Sequence, residues 1–341
     1  MAKKTRVFMT ACGAPGSTGI LRSLADKPDI DLVLADTHPL NSGFCFLPNA
    51  PRYVIPDGDH PDFADIVFKI ASKHQVDLVF PIADEEVMAL APELERFARA
   101  NMKVICSPPG TLEVGTDKEK ITRIAAKLGI PCPELYTKEQ AVLVLKKGDS
   151  VVVKPKRARG GQGVSIVKNL DELEQGLSCG SAHGKSMMIQ ENIPGESGSI
   201  HVVGVLLDPR SAVKATFVCH SLKTKFSHGG PAIAGEPVRV PQLVDMSLRL
   251  LEHTGPWRGP VNVEFKLDAR DGLYKLFEIN PRIWGYSYLA TAAGINFPYL
   301  AVRTFRGEEF EPIRDYRSDL ALVRCTDDKI ISATEMKVDE I

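Results

Sequence analysis

Between Gly259 and Arg282 the chain reads GPVNVEFKLDARDGLYKLFEINPR. Val261, Val263, Phe265 and Leu267 alternate with Asn262, Glu264 and Lys266, the period of a strand with one apolar and one polar face. A second strand follows, with Phe277 and Ile279 on one face and Glu278, Asn280 and Arg282 on the other. The Asp271-Gly272 step supplies the chemistry of a tight hairpin turn. A three-residue loop of Arg270, Asp271 and Gly272, with Gly272 at positive φ, sets Glu264 opposite Glu278.

Upstream, short apolar runs alternate with amphipathic ones. Strands are predicted at Arg6–Thr10, Asp31–Asp36, Val76–Pro81 and Lys103–Cys106, and helices at Ile20–Ala25, Asp62–His74 and Glu86–Ala100. That order predicts an α/β unit with a small, doubly wound parallel sheet over residues 1–110. An amphipathic helix over Ile121–Leu128 stops at Gly129-Ile130-Pro131, and strands Ser150–Lys154 and Val164–Val167 flank a glycine-rich basic tip. The strand Met187–Glu191 breaks at Asn192-Ile193-Pro194-Gly195. Strands over Ile200–Leu207 and Ala212–Cys219 and a helix over Val244–Thr254 precede the acidic hairpin, so residues 111–189 and 190–341 read as two α+β units.

Composition narrows the function classes. The 341 residues are 44% hydrophobic and 25% charged with a net charge of −1, which supplies no attraction to nucleic acid or to an anionic membrane surface. Seven scattered cysteines without a CxxC pair fit reduced thiols, and no apolar run suits a leader or a bilayer span, so the expected compartment is cytoplasmic. A homodimer is the default assembly.

Two facing carboxylates repel, and taking them off solvent costs more, so the pair calls for a reason. A divalent cation is one: Glu264, Glu278 and an amide oxygen from Asn280 are hard oxygen donors of the kind Mg²⁺ takes, and Arg282 on the same face suits an anion. A solvated edge hairpin is the other reading, and this stretch leaves both open. In the glycine-rich tip, Gly160, Gly161 and Gly163 let backbone N–H groups approach phosphate oxygens, with Lys154 at the strand end as a point charge. Backbone groups freed at the Glu191–Gly195 break suit the edge of a flat heterocycle. Gly13, Gly16 and Gly19 with Asp36 suggest a turn that needs glycine, a dinucleotide site, or a carboxylate or phosphate bound at the helix N-terminus.

Taken in order, Asp117-Lys118, Val152-Val153-Lys154-Pro155, Arg159 to Gly163, Gln190 to Gly195, Asn262 to Phe265 and Glu278 to Arg282 resemble the ATP-grasp superfamily, and within it short carbamoyl-phosphate-synthetase-like ligases. The resemblance implies a pre-ATP-grasp domain (1–110), a small subdomain with a glycine-rich flap (111–189) and a large subdomain with the metal hairpin (190–341). It implies that Lys118, Lys154 and the Gly160–Gly163 flap contact ATP phosphates, that Gln190, Glu191, Asn192 and Ile193 present groups to adenine, and that Glu196 binds ribose. Glu264, Glu278 and Asn280 would hold Mg²⁺, or Mn²⁺ in its place, and Arg282 would steady the substrate carboxylate or its acyl phosphate, with Lys154 beside it in the chemistry. Either Lys223 or Lys225 would touch substrate, unless both simply lie on a solvated loop. The implied partners are a small carboxylate and an amine, with no nucleic acid and no membrane. An ATP-binding regulatory protein without turnover and an NAD-binding oxidoreductase are the competing readings. Trp284, Tyr286 and Tyr288 lie near the expected substrate pocket, as wall or as core.

Overall fold

The computed structural model of the chain describes residues 4–158, 162–182, 184–195, 197–226, 229–325, 328–332 and 337–341. The N-terminal unit runs β1 (Thr5–Met9), α1 (Ser17–Ala25), β2 (Ile30–Asp36), α2 (Ser42–Phe46), β3 (Arg52–Val54), α3 (Phe63–Lys73), β4 (Leu78–Phe80), α4 (Asp84–Leu90), α5 (Leu94–Arg99) and β5 (Lys103–Val104). The strands lie in the order β3-β2-β1-β4-β5, every pair parallel. Chain order reverses between β1 and β4, and loops leaving the carboxyl ends of strands at such a point form a crevice. Those loops are the Gly13–Gly16 turn after β1 and Ile82–Glu86 after β4. The single helix expected over Glu86–Ala100 is two helices joined by a 3₁₀ turn at Ala91–Glu93, because Pro92 cannot continue the hydrogen-bond ladder.

The chain continues through α6 (Pro109–Gly115), α7 (Lys118–Lys127), β6 (Leu135–Tyr136), α8 (Lys138–Lys146), β7 (Val151–Pro155), β8 (Ser165–Val167), α9 (Leu170–Ala182) and β9 (Met187–Glu191). Strands β6-β9-β7-β8 form an antiparallel sheet, and its core of Ala141, Leu145, Val151, Val153, Val167, Leu173 and Ile189 is a cluster of its own. The last unit comprises β10 (Ile200–Leu207), β11 (Val213–Phe226), β12 (Gly229–Pro237), α10 (Pro241–Thr254), β13 (Gly259–Leu267), β14 (Tyr274–Asn280), α11 (Ser287–Ala292), α12 (Phe297–Arg306) and β15 (Leu322–Val323). Its antiparallel sheet has the order β14-β13-β10-β11-β12-β15. Two large core clusters each contain residues of both the N-terminal sheet and this sheet: Phe8 and Val79 with Val203 and Val263, and Val7 and Met9 with Val202 and Phe217. These two sheets therefore share one packed body, while the four-stranded sheet has a separate core.

Three further expectations are corrected. The β13–β14 loop is not the three residues Arg270–Gly272: Leu267 pairs with Tyr274, the Asp268 N–H donates to the Leu273 carbonyl (2.9 Å) and the Gly272 N–H to the Asp268 carbonyl (2.8 Å), with Gly272 at φ 72°. A bulge restores the expected register farther along: Phe265 pairs with Leu276 but Glu264 with Glu278, leaving Phe277 as the extra residue. The bulge also overturns the placement of Phe277 with Ile279, since Leu276 takes the core position and Phe277 turns to the cleft. Finally, Lys223 and Lys225 lie not on a loop but on the 14-residue β11, whose pairing with β12 shifts register three times.

Trp284 shows how tightly the shared body is packed. A Cβ on Gly204 of β10 would lie 2.0 Å from Trp284 Cη2, a separation no repacking of a 3% exposed indole relieves locally. Gly204→Ala is expected to lower the melting temperature by several degrees or to leave the protein insoluble. An unchanged melting temperature would contradict this packing.

Candidate active site

A cavity of about 1000 Å³ opens where the three sheets meet. The large sheet contributes Glu264, Phe277, Glu278, Asn280 and Arg282, the small sheet Lys154, α7 Lys118, and the N-terminal unit the Gly13–Gly16 turn with Asp84 to Glu86.

The β13–β14 register sets the two carboxylates face to face. Asn280, two residues along β14, directs Nδ2 to Glu264 Oε1 (3.1 Å), Glu278 Oε1 (3.2 Å) and Asn262 Oδ1 (3.1 Å). Lys118 stands on the other side of Glu278, with Nζ 3.3 Å from Oε2, and also donates to the Ala158 carbonyl at 2.7 Å. Its position follows from local capping: Asp117 Oδ1 accepts from the N–H groups of Glu119 (3.1 Å) and Lys120 (3.0 Å), so α7 begins at Lys118. Lys154, 3% exposed at the end of β7, has Nζ 5.0 Å from the centre of the Phe277 ring.

Burial and like charge govern the protonation here. Burial, then Glu278, pushes Glu264 up to about 8. Burial also opposes the Glu278 charge, but Lys118, Asn280 and Lys154 together hold its carboxyl below the usual range. Burial and the neighbouring Lys118 pull Lys154 down to about 7, against the pull of Glu278. Arg282 gives Nε to Asp84 Oδ1 (2.9 Å) and Nη1 to the Ile283 carbonyl (3.1 Å). Burial works against its charge, and Asp84, Glu264 and Glu278 more than restore it.

The donor chemistry fits a hard divalent cation. Two converging carboxylates, one with its proton retained only by burial and repulsion, gain from a positive ion between them, and half a turn of the Asn280 amide exchanges its nitrogen for oxygen. Among the described residues no cluster of three or more His, Cys, Asp or Glu side chains is placed to hold a metal, so such an ion would rest on these two acids and the amide.

Other expected residues lie elsewhere. Gln190, Glu191, Asn192 and Ile193 do not line this cavity. Part of the backbone at this break is paired within the protein: the Glu191 N–H donates to the Glu134 carbonyl (2.8 Å), and the Ile193 carbonyl accepts from Lys266 Nζ (2.8 Å). Glu191 turns its carboxylate to Arg270 and Lys275. Lys225 lines the cavity and Lys223 does not. Gly163 is at φ 70° beside Pro155, while Gly160, Gly161 and Glu196 fall outside the described residues. Asp36 accepts from the N–H groups of Gly13 (2.7 Å) and His38 (3.2 Å), the role of an acid that holds a turn. Trp284 and Tyr286 are both wall and core, at 3% and 4% exposure.

Sequence reading missed Phe277, Asp84 and Glu86. Glu86 is buried, and its Oε2 accepts from Thr10 Oγ1 (2.6 Å), Ile82 N (3.1 Å) and Ala83 N (3.0 Å), tying the loops after β1 and β4 together. The run Asp84-Glu85-Glu86, three residues beyond an apolar strand, was the available signal.

Residues 183–327 match the family model described as ATP-grasp in the biosynthetic pathway with Ter operon. The carbamoyl phosphate synthase large chain of Pseudarthrobacter chlorophenolicus is 22% identical over 291 residues, 80% of this chain but 26% of that protein, so the chain spans about a quarter of that relative's length. Among solved structures, the biotin carboxylase domain dimer of Hydrogenobacter thermophilus 2-oxoglutarate carboxylase, in complex with MgADP, ADP and bicarbonate, superposes with a TM-score of 0.70 at 16% identity, covering 94% of this chain and 74% of that one. The L-amino acid ligase from Bacillus licheniformis gives 0.65 at 17% identity, covering 90% and 75%. With the parallel N-terminal sheet, the two antiparallel sheets and the cavity between them, the chain has the fold of these structural neighbours, and the likenesses together support a relation to the ATP-grasp superfamily.

Proposed function

We propose that this chain is an ATP-dependent, ADP-forming ligase that activates a carboxylate as an acyl phosphate for attack by an amine. The observation that carries the reading is the facing Glu264–Glu278 pair flanked by Lys118 and Lys154 on one large cavity. The ADP complex of the structural neighbour and the ligase activity named for the other agree with it.

Glu264, Glu278 and Asn280 would hold Mg²⁺, whose part when bound is to neutralise phosphate charge and align the transferred group. Lys118 lies beside Glu278 and shares its charge with that carboxylate, so it offers a cation without a bare buried ammonium. Lys154, near 7 with no phosphate beside it, would take up a proton as phosphate oxygens approach, strengthening its grip where negative charge accumulates. Phe277, turned into the cavity by the bulge, offers an apolar ring beside Lys154. Arg282, oriented by Asp84, has further N–H donors for the carboxylate that becomes the acyl phosphate. Lys154 and the glycine-rich hairpin would cover the phosphates and exclude water from that intermediate.

Incubating the purified chain with Mg-ATP and a deproteinised cell extract should give extract-dependent ADP, and Glu278→Gln should lower that ADP at least 100-fold. AMP with pyrophosphate would overturn acyl-phosphate chemistry, and an active Glu278→Gln enzyme would overturn the metal assignment.

The charge conflict gives a second expectation. Glu264 is raised to about 8, so the folded chain binds its proton more tightly than the unfolded one; the stability this lends is complete below the unfolded carboxyl range and is lost as pH rises through about 8. Glu264→Gln should therefore raise the melting temperature of the metal-free protein, by more at pH 8 than at pH 5. Thermal unfolding at both pH values checks this, and an equal or reversed difference would count against it.

A further inference from the structure

Lys118 shares its charge with Glu278 and the Ala158 carbonyl, and Arg282 shares its own with Asp84, but Lys154 has no such partner. Among the described residues none accepts a hydrogen bond from its Nζ, and no carboxylate oxygen lies within 4.0 Å of it. At 3% exposure the side chain also has little water to solvate its charge. Burial weighs most against that charge, Lys118 from α7 adds repulsion, and Glu278 from β14 attracts it from beyond ion-pair distance. Lys156, two residues along the chain, is taken by Glu119 at 2.5 Å.

What stands against the ammonium is a ring. Lys154 Nζ lies over Phe277, 5.0 Å from the ring centre, within the roughly 6 Å over which the negative face of an aromatic ring attracts a cation, more strongly when water is absent. The two side chains come from different sheets, Lys154 from β7 of the small sheet with its separate core and Phe277 from β14 of the large one. A regular strand would turn Phe277 and Glu278 to opposite faces. The bulge lets both line the cavity, so the acid keeps its place opposite Glu264 while the ring comes to stand beside Lys154. The ladder gives up one position, and the buried ammonium gains a ring face.

We infer that Phe277 is a positioning residue: from across the cleft, the face of its ring holds the Lys154 ammonium charged and in place at the cavity wall until phosphate oxygens take over. The inference rests on the ligase reading for the phosphate that Lys154 awaits, but the ring contact is a property of the free protein. It gives the bulge a chemical part beyond placing the two acids.

The test uses the full chain, labelled with ¹³C at lysine Cε and held without nucleotide. Nuclear magnetic resonance against pH follows Lys154 as the resonance missing from Lys154→Arg, and that resonance should titrate well below the ordinary lysine range. Phe277→Met keeps apolar bulk and removes the ring face, so the midpoint should fall by about half a pH unit or more, while Phe277→Tyr should stay near the unmutated value. Affinity for Mg-ATP, read by thermal shift, should decline with rising pH, and the decline should begin at lower pH in Phe277→Met, because a neutral amine must first take up a proton. An unchanged or higher lysine midpoint in Phe277→Met, or a Phe277→Tyr protein that behaves as Phe277→Met does, would overturn the inference. So would a loss of Mg-ATP affinity in Phe277→Met that is equal at every pH, the mark of a ring that only walls the ligand. Should Phe277→Met fail to fold, Phe277→Leu takes its place. If Mg-ATP stabilises no form of the protein, the ligase reading fails while the lysine titration still decides the ring contact.

Discussion

Two carboxylates set against each other by a sheet register are the constraint on which the rest of the site depends. Glu264 and Glu278 occupy paired positions of adjacent strands, so neither can leave without breaking the β13–β14 ladder. The surroundings answer their repulsion piecemeal: Lys118 pairs with Glu278, Asn280 donates to both acids, and Glu264 keeps its proton well above the usual carboxyl range. Holding Glu264 protonated beside an ionised Glu278 is an electrostatic strain that a cation between them would relieve. In the proposed ligase the same strain makes metal and nucleotide binding favourable.

The packing divides the molecule in a way that suits this chemistry. The N-terminal sheet and the large sheet share two hydrophobic clusters, which fixes Asp84 against Arg282 and the Gly13–Gly16 turn against Gly285. The small sheet, with a core of its own, carries Lys154 and the glycine-rich hairpin. Its links to the body include the Lys118 contact with Ala158 and the pairing of Glu191 with Arg270 and Lys275, polar contacts at its margins. A unit joined in this way can change its angle to the body at lower cost than either large sheet can, since no shared apolar core must be opened.

Local periodicity made much of this legible. The alternation in Val261–Leu267 and the turn at Asp271-Gly272 sufficed to pair Glu264 with Glu278, although the loop is longer than three residues and the register comes right only through the bulge at Phe277. A bulge leaves no trace in a period-two pattern, which is why Leu276 and Phe277 exchanged faces. Long-range partners were invisible for a different reason. Asp84 lies 198 residues from Arg282, and Arg324 reaches Gly285 from the far end of the chain. Lys223 and Lys225 read as loop because β11 and β12 pair with repeated register shifts and the pattern there lacks a clean alternation. Glu86 looked like an ordinary helical acid, and only its buried contacts with Thr10 and two backbone amides distinguish it.

The proposed activity depends most directly on Glu264 and Glu278 together holding a divalent cation. Electron paramagnetic resonance of Mn²⁺, titrated into the protein with a non-hydrolysable ATP analogue, counts bound ions without any knowledge of the substrate. Tightly bound Mn²⁺ is expected in the unmutated chain, with a midpoint at least tenfold weaker when both acids are replaced by glutamine and the fold is retained. Equal Mn²⁺ binding by the two proteins, beyond what the nucleotide analogue binds alone, would contradict it.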